Sequence, residues 1–168
     1  MKWLIILRGV TGVGKSKTAD KLVRCLGAHI ATSLNMDVIE KGQIDRNIET
    51  SLRFQFVIAH IYSGQQNTYD PVGWISRFTK KGFHTISFVL KIGFEAGKKR
   101  CRQRDQTRTE EEYRRLWNRF QEPPFSDFAK WANVKEISID AEQSTDAICD
   151  QILMAIEQYA REIEEPSA

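Results

Sequence analysis

Trp3-Leu4-Ile5-Ile6-Leu7-Arg8-Gly9-Val10-Thr11-Gly12-Val13-Gly14-Lys15-Ser16 is the stretch on which the fold turns. Its first five residues form a continuous apolar run, the pattern of a strand covered on both faces. Gly9 to Ser16 has the form G-x-x-x-x-G-K-S. Behind it, Ser16 to Leu26 places Ala19, Leu22, Val23 and Leu26 at helical spacing, and Gly27 suits the C-terminal cap. Strand, glycine-rich loop and helix in immediate succession make a cradle for anionic oxygens. Glycines let successive backbone N–H groups turn inward, and the positive end of the helix stands behind them.

A chain of 168 residues shows this loop pattern by chance roughly once in two hundred. The flanking strand and helix lower that further. The implied ligand is a nucleoside triphosphate, held by Gly9, Val10, Thr11, Gly12, Val13, Gly14, Lys15, Ser16 and Lys17. In such a loop the lysine, Lys15, reaches the β- and γ-phosphates, and the Ser16 hydroxyl ligates Mg2+.

Outward from the loop, strand-like and helix-like segments alternate, as in an α/β domain with a mostly parallel sheet. Strands are expected at Ala28–Leu34, Phe54–Tyr62, Thr85–Ile92 and Val134–Ile139. The aromatic and β-branched run Phe54–Tyr62 also allows a longer preceding helix, which periodicity does not separate. Helices are expected over Val38 to about Leu52, Pro71–Lys81, Glu95 to about Gln103 and Glu110–Phe120. A C-terminal helix carries Ile148, Ile152, Ile156, Tyr159 and Ile163 on one face. The expectation is a three-layer α/β/α P-loop NTPase fold with a mostly parallel five-stranded sheet, one domain over residues 1–164 and a frayed tail at 165–168. Ligands of such sheets bind beyond the carboxyl ends of the strands, where the loop sits.

Composition excludes several classes. The chain is 41% hydrophobic and 28% charged, ordinary for a globular domain. A formal charge of +3 is too small to imply a nucleic-acid partner by itself. No apolar run approaches a membrane span, and the segment Met1–Leu7 is too short an apolar run for a signal peptide, so it reads as a strand. Cys25, Cys101 and Cys149 show no paired spacing, which points to reduced thiols in a cytoplasmic protein, with Cys25 and Cys149 packed on helix faces.

Three features bear on the reaction. First, the third strand ends Val57-Ile58-Ala59-His60-Ile61-Tyr62, without the carboxylate that many ATPases and GTPases place there, and no Asn-Lys-x-Asp motif occurs. His60 reads as a strand-end polar residue. Second, Asp37 follows the second strand, where a carboxylate can accept a hydroxyl proton; with Glu40 it also reads as a helix capping box. Third, Lys98-Lys99-Arg100-Cys101-Arg102-Gln103-Arg104-Asp105-Gln106-Thr107-Arg108 gathers six cations. Arg100, Arg104 and Arg108 recur every four residues, so a helix would set them on one side. Guanidinium groups grip phosphate oxygens, stack on bases and neutralise charge on a transferring phosphoryl group. A solvated cationic helix end is the other reading.

With these residues the chain resembles the small P-loop kinases, among them shikimate kinase, gluconate kinase, chloramphenicol phosphotransferase and the 5′-kinase domain of polynucleotide kinases. The loop form, an Asp after the second strand and an arginine-bearing lid at about residues 100–120 are similar to theirs. Gln103 to Arg108 resembles the lid entry of shikimate kinase. The resemblance implies adenine stacking by Arg104, a role for Arg100 or Arg108 on the transferred phosphate, and acceptor preparation by Asp37. It implies ATP and Mg2+ as cofactors, and transfer of the γ-phosphate to a hydroxyl or phosphate of a small molecule or nucleotide. Ala59-His60 departs from the family pattern, leaving the acceptor unread; Asn67, Tyr69 and Asp70 are the nearby polar residues. Two other readings stand beside it. One is a polynucleotide 5′-hydroxyl kinase with a nucleic-acid 5′ end as partner, stacked on Tyr69, Trp74 or Trp117. The other is a nucleotide-binding protein without turnover.

Overall fold

In the computed structural model, residues 1–36, 41–62, 71–123 and 125–165 are described. Strand β1 (Lys2–Gly9) is buried along almost its whole length. It lies between β3 (Phe56–Tyr62) and β4 (Phe83–Lys91), parallel to both. β2 (Ala31–Asn35) extends the sheet beyond β3, and β5 (Lys135–Asp140) beyond β4. The order is β2-β3-β1-β4-β5, and every pairing is parallel. All the carboxyl ends therefore share one edge, and Gly9 ends the central strand on it.

Alternation along the strands sorts side chains into two cores. Trp3, Ile5 and Leu7 join Ile58, Ile86, Phe88 and Ile139 under helices α1 (Lys15–Leu26) and α7 (Thr145–Glu164). Leu4 and Ile6 join Val57, Ala59 and Ile61 under α2 (Lys41–Ser51), α3 (Pro71–Thr79) and the short α6 (Phe128–Ala132). The C-terminal helix buries Ile148, Ile152 and Ile156, as its spacing requires.

Differences from the sequence reading have local causes. The run at 56–62 is a strand, since it pairs with neighbours on both sides. β2 starts three residues later than expected, because Ile30 and Ala31 donate their N–H groups back to Gly27 and hold residues 28–30 in a turn. Cys149 is buried, but Cys25 is exposed. The buried stripe of α1 runs through Ala19 and Leu22 toward Leu26, and Cys25 lies off its centre in the last turn. The helix α6 was not anticipated.

Helices α4 (Phe94–Arg104) and α5 (Glu110–Gln121) form a hairpin at the carboxyl edge. Arg108 is not on the helix that carries Arg100 and Arg104. The Asp105 carboxylate accepts bonds from the backbone N–H and hydroxyl of Thr107, which closes a tight turn and stops α4. Thr109 and Glu112 then open α5 with a reciprocal capping box. Lys98 bridges to Glu110, and the rings of Phe94, Tyr113 and Trp117 pack together between the helices. A Cβ on Gly97 would collide with the Tyr113 hydroxyl, so the bare α4 backbone is what admits this ring. That hydroxyl is buried without a hydrogen-bond partner among the described residues. Burial, with Cys101 nearby, pushes its pKa up to about 12.

Gly97→Ala is expected to lower unfolding free energy by about 1–3 kcal/mol through overpacking. Tyr113→Phe should cost less than about 1 kcal/mol, because it removes a hydroxyl that has no partner. The double variant should recover most of the Gly97→Ala loss in urea denaturation. Simple additivity of the two changes would show that the hydroxyl is not the obstacle.

Candidate active site

The glycine loop leaves β1 at Gly9 and turns through a Val13 N–H to Val10 carbonyl bond of 3.3 Å. Val10 and Val13 are buried in the core under α1 and α7, which anchors the loop from below. Gly14 sits at φ +103°, a left-handed conformation favoured only by glycine, and it is the N-cap of α1. It offers no side chain to cap the helix, and the first turn of α1 carries no acidic residue. Positive potential at this helix start thus faces outward unneutralised by local carboxylates.

Lys15 is 7% exposed, and its Nζ donates to the carbonyls of Gly9 at 2.6 Å and Val10 at 3.1 Å. The ammonium is therefore held against the loop rather than extended into solvent. Ser16 and Lys17, one and two residues on, are exposed.

Two of the three expected arginines converge on this loop. A cavity of about 310 Å³ is lined by Thr11, Gly12, Gly14, Lys15, Ser16, Lys17, Arg100 and Arg104. Arg100 is fixed on its far side by donating Nη1 to the Ala141 carbonyl at 2.7 Å. The approach is close: a Cβ on Gly12 would lie 3.1 Å from both the Cα and N of Cys101, so the loop tip rests on the α4 backbone. Arg108 does not line this cavity and instead lies 3.7 Å from Asp105 in the turn after α4.

Asp37 lies outside the described residues, as do Asn67, Tyr69 and Asp70 and the tail beyond Glu165. The strand before Asp37 ends at Asn35, paired with His60, on the same edge as Gly9. His60 is 7% exposed and lies within β3, not at its end. It shares the face of Ile58, under α1. Burial lowers its pKa, Lys15 lowers it further, and Asp20 opposes both. Trp74 is buried in the core beneath α3, and the half-buried Trp117 is packed against Phe94 and Tyr113.

One residue of this region went unread in the sequence. Arg8, the last residue before Gly9, is 5% exposed. Its Nε lies 2.9 Å from Glu136 Oε2, and its Nη1 donates to the Phe125 carbonyl at 2.8 Å. The guanidinium also stands 4.3 Å from the centre of the Phe128 ring. Burial lowers its pKa and Glu136 opposes that fall. A cation inside an apolar strand was the available signal, since a buried charge requires a partner.

No protein-family model matches the sequence, and no curated protein matches it either. Solved structures do match over nearly the whole chain. A gluconokinase from Sinorhizobium meliloti 1021 is 12% identical with a TM-score of 0.64, covering 99% of this chain and 98% of its own. A shikimate kinase from Bacteroides thetaiotaomicron is 16% identical with a TM-score of 0.58, over 92% of this chain and 98% of its own. A shikimate kinase from Acinetobacter baumannii, in complex with shikimate, is 17% identical with a TM-score of 0.59, over 95% of each chain. The chain thus shares its fold with these three kinases. Among the described residues no helix is long and apolar enough to cross a membrane.

The depressed pKa of His60 links stability to pH. A buried neutral imidazole binds fewer protons than its unfolded counterpart, so stability falls as pH drops through the ordinary value of 6.5 toward the lower folded value. His60→Asn should flatten the pH dependence of urea denaturation between about pH 7.5 and 5.5. An unchanged slope would show that His60 does not titrate as buried.

Proposed function

We propose that this protein is an ATP-dependent phosphotransferase, moving the γ-phosphate of ATP to a hydroxyl or phosphate of a small molecule or nucleotide. The observation that carries the reading is the cavity shared by the glycine loop and two arginines of the α4–α5 hairpin. A loop of backbone donors alone describes many triphosphate-binding proteins. Arginines brought over that loop by a separate hairpin are suited to charge that develops during transfer.

The residues present fit a polyphosphate with its metal. At the left-handed Gly14, none of the described residues lies within 4 Å of where a Cβ would stand. Lys15 is poised on loop carbonyls, one cavity wall away from Arg100 and Arg104. Ser16 is exposed at the head of α1, where its hydroxyl would join waters in holding Mg2+. The bound metal would neutralise phosphate charge. Lys15 would hold the β- and γ-phosphates, Arg104 would stack on adenine, and Arg100 would face the transferred group. Between Arg100 and Arg108, the cavity favours Arg100. Asp37 would take the acceptor proton. A hairpin closing over the loop keeps water from competing with the acceptor. Similarity of fold to a gluconokinase and to shikimate kinases supports a small-molecule acceptor. Trp74 is buried in the core and Trp117 packs against two lid rings, which counts against either as the base-stacking residue of a polynucleotide acceptor. Three free cysteines accord with a reducing, cytoplasmic setting.

The test is a screen of labelled ATP against nucleosides, nucleotides, sugars, small hydroxy acids and 5′-hydroxyl oligonucleotides. Lys15→Ala should weaken ATP binding and cut transfer by about a hundredfold or more. Asp37→Asn should cut kcat by about a hundredfold while leaving the ATP KM within a few fold. Tight ATP binding with no transfer to any acceptor would favour a protein that binds nucleotide without turnover.

A further inference from the structure

We infer that Arg8 is a positioning residue that sets the α4–α5 lid against the glycine loop; its kinetic consequence rests on the phosphotransfer reading above. Arg8 is joined covalently to Gly9, the first residue of the loop, and lies in register between Ile61 of β3 and Val89 of β4. Its side chain does not end on one partner. Nε and Nη2 meet the two oxygens of Glu136 in β5, at 2.9 and 3.3 Å. Ser87 of β4, between the two strands, donates to the same carboxylate at 2.8 Å and fixes its orientation. The remaining donor, Nη1, reaches the Phe125 carbonyl in the connection after α5. The flat guanidinium is flanked by Phe120, in the last turn of α5, at 5.6 Å and by Phe128, which opens α6, at 4.3 Å.

The chain leaving the lid is therefore gripped by the strand residue that precedes the loop. At the other end of the hairpin, Cys101 of α4 rests on Gly12 at the loop tip. The lid is thus held to the strand before the loop, through Phe120 and the connection at Phe125, and to the loop tip through Cys101, and the proposal is that the first of these holds sets its tilt over the cavity. A core site needing only volume would be filled at lower desolvation cost by an apolar pair. What the arginine adds is direction: a planar fork donates to both Glu136 oxygens and to the Phe125 carbonyl at fixed angles, which an apolar side chain cannot do and the point charge of a lysine cannot match.

The experiment separates this role from that of a buried ion pair. Arg8→Met/Glu136→Leu removes both charges together; it also strips the Ser87 hydroxyl and the Phe125 carbonyl of these partners, so it is expected to fold with lower stability than wild type, a loss shared by the whole domain. Hydrogen exchange of residues 94–121 in the free protein should rise about tenfold beyond any rise in the central strands. With an acceptor found, the ATP KM should rise about tenfold while kcat at saturating ATP changes less than about threefold. Arg8→Lys keeps a charge beside Glu136 and gives a second variant should the double change not fold; its lid exchange should rise about threefold or more. Wild-type lid protection, or a lid rise matched by the central strands, in whichever of these variants folds, the double variant or Arg8→Lys, overturns the inference, leaving Arg8 an ordinary buried pair. If the wild-type protein neither binds nor turns over ATP, the phosphotransfer reading fails, and the exchange measurement alone still decides Arg8.

Discussion

The central strand β1 is buried on both faces, and the rest of the structure follows from that constraint. A strand so placed must satisfy every backbone group through its neighbours, which requires β3 and β4 in register on either side. Both are parallel to it, so the chain has to cross the sheet and return each time, and helices accumulate on both faces. The polar work of the protein is then confined to the edge where the strands end. The glycine loop occupies the centre of that edge because β1 occupies the centre of the sheet.

The α4–α5 hairpin completes the edge by a different kind of specification. Its break is made by local bonds, Asp105 to Thr107 and Thr109 to Glu112, which need nothing from the rest of the fold. Its placement is made by contacts with the loop and with β1. Because α4 ends at Arg104, Arg100 and Arg104 line the cavity while Arg108 lies in the turn, 3.7 Å from Asp105. Local stiffness and distant anchoring together give the hairpin a defined posture over Lys15.

What could be read from the sequence was what short-range chemistry determines. The loop was legible because its glycines, lysine and serine are contiguous and their mechanism is local. The core strands were legible because burial on both faces leaves unbroken apolar runs such as Leu4–Leu7. The five-residue helix α6 was not, since Phe128 and Ala132 turn one short apolar face to the core and no periodicity develops. The four-residue recurrence of Arg100, Arg104 and Arg108 suggested one helical face. It misled because a single aspartate side chain can end a helix within that repeat. Arg8 was silent for a further reason: its partners Phe125 and Glu136 lie 117 and 128 residues away. Asp37, expected at this edge from its place after the second strand, lies outside the described residues.

Those separations also govern the order in which the molecule can be finished during synthesis. The glycine loop is made before the segments it rests on: Cys101, against which its tip packs, follows 89 residues after Gly12. Glu136, which neutralises the residue preceding the loop, follows later still. Until β5 pairs with β4, the nascent chain carries an arginine inside an apolar strand with no counter-charge, and burial of β1 is opposed for that interval. The earliest-made part of the site thus waits for β5 before the arginine beside it is neutralised.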